Sequence, residues 1–539
     1  MSASREKQNR QAAAGQTDPK TARQAQQRKE EKRTNLLYGV IAAVVLIAVV
    51  VSFVWRSDFI PKMTTAATID GQKYTAAEVE YYYQTAYRNF LNQYSYFTSY
   101  LGLNTNGTLR SQAVSSTAAE MLGIELPEVD PDAEPDPDAD PLAPTGMTWH
   151  DYFLDEALEN MSVIQAALKA ADAEGFQYPA GLQVQYDDNM EALKSAAAAS
   201  GISVSQYLKG NFGAGVTEKV YGEQLMRVLR YSAYADAYQD SQTYSKSDLQ
   251  SAYDADRNTY DHASYEVVSF SGAAESTTDA EGNTVEPTEE ESTAALAAAS
   301  EKANAVVSDF KSGKKLEDLA NEYEGTYTNF DDSSYSSGSA LSQWVFKEDR
   351  KSGDATVVVD GSTVYAVVYH DRFRDENPTI DVRHILVPLG TGSIAEGEEG
   401  YEDQQAQLKA DAHAKAEELL SQWQSGEATE DSFAALALKE STDGSKYDGG
   451  LYTEVYQGGQ MVTEFNDWCF DSARQAGDTA VVDTQYGAHV MYFSGVNALN
   501  RWQSQVASNL RNEAYTAWET ELTKDAAIQR SESGLKLIG

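Results

Sequence analysis

Two stretches far apart in the chain each place a histidine at the centre of an apolar strand. In Asp381-Val382-Arg383-His384-Ile385-Leu386-Val387, residues 382, 384 and 386 share one face and 383, 385 and 387 share the other. Gly487-Ala488-His489-Val490-Met491-Tyr492-Phe493 repeats the pattern around His489. A buried imidazole must find partners for its ring nitrogens. Two such strands facing one another across a sheet would let each ring serve the other.

The residues between and around these strands follow a recognisable order. His384-Ile385-Leu386-Val387 is followed by a helix, then Ser441-x-Asp443, Gly449-Gly450-Leu451, Met461-x3-Phe465 and Gly487-x-His489. From about Thr379 to Val496 this resembles the parvulin family of peptidyl-prolyl cis-trans isomerases. The resemblance implies a catalytic set of His384, Asp443, Thr484 and His489. It also implies a proline-binding pocket made by Leu451, Met461, Phe465 and Phe470. Met461 and Phe465, four apart, are expected on one helical face. The chain departs from the family's common Gly-Gly-Asp-Leu-Gly in reading Gly449-Gly450-Leu451-Tyr452, and its interval from Leu451 to Met461 is longer than in compact members. Such chemistry requires neither cofactor nor metal. The peptide bond's rotational barrier of about 18–20 kcal/mol comes from resonance, and an enzyme need only grip proline and favour the twisted amide.

A second copy of the pattern precedes the first. Trp344-Val345-Phe346, Gly353-Asp354 and Val357-Val358 lie over Trp468-Cys469-Phe470, Gly477-Asp478 and Val481-Val482 at a constant offset without gaps. This alignment puts Tyr365 at the place of His489 and Asp360 at that of Thr484; upstream, Tyr265–Phe270 occupies the place of the first strand, with Val267 where His384 would be. The segment 264–373 therefore reads as a parvulin-like domain without the chemistry. Its acidic stretch Glu275–Glu291 reads as a surface insertion in the first connection.

Ahead of both lies a different organisation. Residues 1–35 hold nine Lys/Arg against four Asp/Glu and no periodic apolar face, the composition of a disordered basic tail. Leu36–Trp55 carries no charged residue and is long enough to cross a bilayer core of roughly 30 Å. Arg28, Lys29, Lys32 and Arg33 precede it, which sets the expectation of a retained anchor with a cytoplasmic N-terminus and everything after Arg56 outside the cytoplasm. A cleaved signal peptide is the alternative, with Thr65-Ala66-Ala67 as its weak site. Residues 66–262 read as a strand and turn followed by helices: from Thr75, capped with Glu78, to about Tyr100; Thr148 to Ala173; Val184 to Ser200; Thr217 to Tyr238; and Lys246 to Arg257. The proline-punctuated acidic stretch 125–144 reads as a solvated insertion, and the tyrosine-rich face of the first helix as a packing surface. An Ile-Asp-Gly strand and paired helices ending near such a domain resemble the N-terminal region of SurA/PrsA-type foldases. In those proteins a C-terminal segment, here 500–530, packs back on the N-terminal helices.

The expected class is α+β: an anchor helix, a helical chaperone-like region built from both ends of the chain, and two parvulin-like α/β domains, the first degenerate. A formal net charge of −41 argues against nucleic acid as a partner. The single cysteine, Cys469, excludes an intrachain disulfide and reads as a small buried hydrophobe. His150 and His413 match no motif. Expected partners are unfolded or partly folded exported polypeptides containing X-Pro bonds, with one helix in the membrane. A non-catalytic holdase, whose two domains only bind extended chains, is the competing expectation.

Parvulins that require phosphorylated substrates hold the phosphate with basic residues in the loop after the first strand. Here Pro388–Gln405 contains no Lys or Arg but has Glu396, Glu398, Glu399, Glu402 and Asp403. A phosphoserine-proline peptide should turn over no faster than its neutral counterpart in a protease-coupled isomerisation assay, because like charges repel.

Overall fold

The computed structural model describes residues 44–46, 59–124, 146–278, 282–458 and 461–539. The basic tail, the acidic stretch 125–144 and all of the expected span 36–55 except the helical residues 44–46 lie outside them. Among the described residues no helix is long and apolar enough to cross a membrane.

The chain divides into two compact units. One comprises Met1–Phe176, Tyr186–Ser232 and Glu519–Gly539; the other comprises Gln177–Gln185 and Ala233–Trp518. In the first, β1 (Thr65–Ile69) and β2 (Gln72–Thr75) form a hairpin turning at Asp70 and Gly71, both at positive φ as a tight two-residue turn requires. The helix Ala76–Tyr94 starts from the Thr75/Glu78 capping box. It stops six residues short of the expected Tyr100, where the chain enters a run of turns. Its Tyr81, Tyr82, Tyr83 and Phe90 are buried against Trp149, Phe153, Leu158 and Met161 of the helix Trp149–Glu174, so the aromatic row is core. The strand Ile528–Arg530 pairs antiparallel with β1 and closes the sheet from the far end of the chain.

The second unit contains two four-stranded antiparallel sheets of one design. The first is built from β3 (Asp261–Ser271), β6 (Thr326–Ser334), β7 (Ala355–Asp360) and β8 (Thr363–Arg374), in the order β6-β3-β8-β7. A small hairpin of β4 (Thr277–Thr278) and β5 (Thr284–Val285) occupies part of the acidic stretch. Contrary to expectation, Glu289, Glu290 and Glu291 do not belong to that insertion. They form the first turn of the helix Glu289–Lys311, where carboxylates oppose the positive end of the helix dipole. The second sheet, from β9 (Pro378–Pro388), β10 (Leu451–Val455), β11 (Thr479–Thr484) and β12 (Gly487–Asn500), has the order β10-β9-β12-β11.

Each sheet carries two helices on one face and a short helix on the other. Under the second sheet, Ala412, Ala416, Leu419 and Trp423 form the buried stripe of the helix Tyr401–Ser425 and pack with Ile385, Phe433, Ala488 and Val490. On the opposite face the helix Thr463–Cys469 covers Ile380, Val382, Met491 and Phe493. The registers of the two sheets coincide. Val267 pairs with Val367 as His384 pairs with Met491, and Tyr365 pairs with Ser269 as His489 pairs with Leu386. Val358 opposite Tyr365 likewise repeats Val482 opposite His489.

The C-terminal helix runs over Arg501–Thr523. Trp502, Val506 and Ala507 bury with Leu249, Tyr253 and Tyr260, and Trp518 stacks on Tyr238 at 4.7 Å, so the helix packs on the last helices of the 66–262 region. What returns to the N-terminal hairpin is the strand Ile528–Arg530.

Candidate active site

In β9, alternation aims His384 and Val382 at the face covered by the helix Thr463–Cys469, while Ile385 enters the other core. Pairing with β12 sets His384 opposite Met491 and His489 opposite Leu386, so the histidines are diagonal neighbours on one face. Their rings stack with centroids 5.2 Å apart and planes 22° apart, and the two Nδ1 atoms lie 3.0 Å from one another. Both residues are buried.

Each outer nitrogen also has a partner. His489 Nε2 is 2.9 Å from Thr484 Oγ1, which in turn accepts the Tyr486 N–H. His384 Nε2 lies 3.3 Å from Asp443 Oδ1 and 3.2 Å from Ser445 Oγ. Asp443 caps the turn Gly444–Asp448 and accepts from Ser445 N at 2.8 Å, Ser445 Oγ at 2.6 Å and Tyr452 OH at 3.0 Å. A carboxylate only accepts, so the hydrogen on the His384 side sits on Nε2. With His384 singly protonated, His489 Nδ1–H donates to His384 and the Thr484 hydroxyl donates to His489 Nε2. One directed line then runs from Thr484 to Asp443.

The electrostatics follow from this geometry. The hydrogen bond from His384, then those from Ser445, hold the Asp443 carboxyl well below the usual carboxylate range against the opposing effect of burial. Burial, reinforced by His384, pushes the His489 imidazole down to about 4. Burial also raises the Tyr452 phenol to about 12, with the adjacent Asp443 adding to it. The Cys469 thiol is raised to about 12 by burial, consistent with a small core residue that does no chemistry.

Beside the histidines lies an apolar wall. Phe465 is buried and sets its ring edge-on to His384 at 5.4 Å and to His489 at 5.6 Å. Met461 and Phe470 pack, half-buried, into the same cluster. Met461 precedes the helix, which begins at Thr463, so the expected shared helical face is replaced by convergence on one cluster. Leu451 is a correction. It pairs with Arg383, and cross-strand partners share a face, so it points away from the histidines. Its neighbour Tyr452, opposite Val382, stacks on His384 at 5.1 Å and 21°. Gly450 allows this approach: at φ +75°, a Cβ there would stand 2.3 Å from the His384 carbonyl oxygen. Tyr452 and Ser445 were missing from the sequence-derived set. Ser445 had a signal in Asp443-Gly444-Ser445, an aspartate-capped turn. Tyr452 had none, because its face depends on strand register. His413, outside the line, binds exposed Asp483 at 2.9 Å, and buried His150 meets Tyr83 OH at 3.0 Å.

Residues 365–495 match the family model of the PPIC-type PPIase domain. Within this stretch, the second sheet and its helices from Pro378 onward form a domain of the PPIC-type PPIase family. Among solved structures, the chain is similar to the peptidylprolyl isomerase PrsA of Bacillus anthracis at 20% identity and a TM-score of 0.17, covering 28% of this chain and 58% of that one. It is similar to PrsA of Bacillus subtilis at 13% identity and a TM-score of 0.26, covering 71% and 89%. SurA-like chaperones of Campylobacter jejuni match at 12% identity and a TM-score of 0.16, covering 67% and 90%. Likeness at this level carries no further argument, and the domain assignment rests on the family match. No curated protein matches the chain.

A free imidazole takes its proton near 6.5, whereas folded His489 refuses it until about 4. The unfolded state therefore binds more protons between these values. This residue's contribution to stability is complete above pH 6.5 and is lost as the pH falls towards 4, at most about 3 kcal/mol. By NMR, the His489 ring resonance should titrate near 4 and vanish from the spectrum of His489→Gln. That of His413, raised by its hydrogen bond to Asp483, should titrate above 6.5.

Proposed function

We propose that this chain is a membrane-anchored, extracytoplasmic peptidyl-prolyl isomerase and chaperone that assists the folding of exported proteins. The observation that carries the reading is the hydrogen-bonded line Thr484–His489–His384–Asp443 set beside the apolar wall of Phe465, Met461 and Phe470. For X-Pro bonds the two isomers differ by only about 0.5–1 kcal/mol, but exchange takes tens to hundreds of seconds. The apolar wall grips the proline ring. The polar line, rigid and shielded from water, favours the twisted amide, in which conjugation is lost, over the planar one. Substrate-contacting roles fall to His384, His489, Met461, Phe465 and Tyr452, with Thr484, Asp443 and Ser445 holding the rings. Phe470 packs, half-buried, against the same apolar cluster.

The first sheet is read as a degenerate copy that binds extended segments or spaces the active domain. Valine and tyrosine stand where the second sheet has its histidines. Asp360, at the place of Thr484, accepts from Ser339 Oγ at 2.6 Å and Leu341 N at 3.3 Å at the start of the helix Ala340–Val345. In addition, β6 keeps pairing beyond Val267, through Val268–Tyr327 and Ser269–Thr326. It thus fills the edge along which the second sheet brings in the Asp443 turn. The test is to express Asp261–Arg374 and Pro378–Asn500 separately. The second should accelerate isomerisation of a prolyl tetrapeptide and lose at least about tenfold on His489→Ala, and the first should do neither. Activity in the first, or none in a folded second, sinks the assignment.

The anchor reading rests on the uncharged stretch Leu36–Trp55 and the basic residues before it. Protease added to intact spheroplasts should degrade the chain beyond Arg56. Protection of that region would reverse the orientation.

A further inference from the structure

The strand that carries Tyr452 leaves regular pairing immediately after it. Tyr452 faces Val382 and Val455 faces Ile380, so Thr453 and Glu454 together oppose the single residue Asp381. This is a β-bulge, and such bulges re-aim the side chains beside them. Glu454 sits at φ +55°, a left-handed conformation that a residue with a Cβ rarely adopts. Surrounding structure must hold it there.

Two sets of contacts do so. Within the sheet, Asp381 Oδ1 accepts the Glu454 N–H at 2.9 Å and is itself braced by Asn497 Nδ2 at 2.9 Å. From outside it, the Glu454 carboxylate is gripped by the C-terminal helix Arg501–Thr523. Arg511 Nη2 donates to Oε1 at 2.8 Å, Arg511 Nη1 approaches Oε2 at 3.4 Å, and Ser504 Oγ donates to Oε2. Ser504 and Arg511 are two turns apart on one face of that helix. The helix is fixed in turn by Trp502, Val506 and Ala507 in their apolar cluster and by Arg501 Nη1 on Asp375 at 2.8 Å. Glu454 and Arg511 are both largely shielded, with side chains 18% and 25% exposed, so the pair is screened less than a surface one.

We propose that Glu454, Arg511 and Ser504 are positioning residues: the C-terminal helix clamps the bulge that keeps Tyr452 on His384 and Asp443, so isomerase efficiency depends on a helix outside the catalytic domain. A slip of one residue at the bulge would turn Tyr452 to the opposite face and take its hydroxyl from Asp443. The proposal rests on the reading of the Thr484–Asp443 line as the isomerase site.

The test uses the whole chain and compares wild type with Arg511→Met, Glu454→Gln, Tyr452→Phe and the double variant Arg511→Met/Tyr452→Phe. It reads kcat and KM on a prolyl tetrapeptide together with thermal unfolding. Arg511→Met and Glu454→Gln should each lower kcat by about 5- to 10-fold, with KM and the folded fraction at assay temperature unchanged. Arg511→Lys, which keeps a charged donor, should recover part of the loss. In the Tyr452→Phe background Arg511→Met should cost little more, because the clamp acts through that hydroxyl. Unchanged kcat in both single variants, or full additivity with Tyr452→Phe, overturns the clamp. If Arg511→Met does not fold, Glu454→Gln in the two backgrounds decides by the same criteria. An inactive wild type would instead overturn the isomerase reading on which the clamp depends.

Discussion

Two imidazoles share one hydrogen bond out of reach of water, and the second sheet is arranged to make that tolerable. Leaving a buried polar group unpaired costs about 1–3 kcal/mol, and the two rings present four nitrogens. The inner pair satisfy each other at 3.0 Å. The outer pair demand a hydroxyl at one end and a carboxylate at the other. The hydroxyl comes from β11, which runs beside β12 as β7 runs beside β8 and delivers Thr484 five residues before His489. The demand for a carboxylate explains why the chain between the helix Glu430–Glu440 and β10 turns down onto β9, with Thr442 N and His384 N bonded to Leu386 O and Gly450 O. Glycine at 450 is the requirement of that close approach.

The first sheet shows what the scaffold does when that requirement is lifted. With valine and tyrosine at the two central places, no carboxylate has to be brought in, and β6 continues along the edge instead of giving way to a turn. Apolar packing alone sustains the architecture: Val268, Val364, Ala366 and Val368 bury under the helix Glu289–Lys311, and Val267, Leu341, Val345 and Val367 form the opposite layer. Strand order and register are therefore properties of the apolar pattern. The polar line is an addition that reshapes one edge.

Much of this could be read without coordinates because it is local or periodic. Strand alternation put His384 and His489 in the middle of apolar runs, and a gapless offset matched Tyr365, Asp360 and Val358 to their counterparts. Thr75 was legible as a helix cap because it and its partner Glu78 lie only three apart. Leu451, placed in the pocket by the family resemblance, faces away from the histidines for a reason equally physical. Its pairing with Arg383 sets its face, and that register is made between segments distant in the chain.

By itself the sequence determined the apolar periodicity, the caps, the repeat and the identity of the two histidines, since each of these is encoded in residues a few positions apart. Tertiary structure alone decided that Tyr452 rather than Leu451 meets His384, and that Met461 reaches the wall from outside a helix. It also decided that the C-terminal helix seats on Leu249, Tyr253 and Tyr260 while Ile528–Arg530 returns to β1. Those outcomes depend on which surfaces meet once distant segments have paired, and no short-range pattern carries that information.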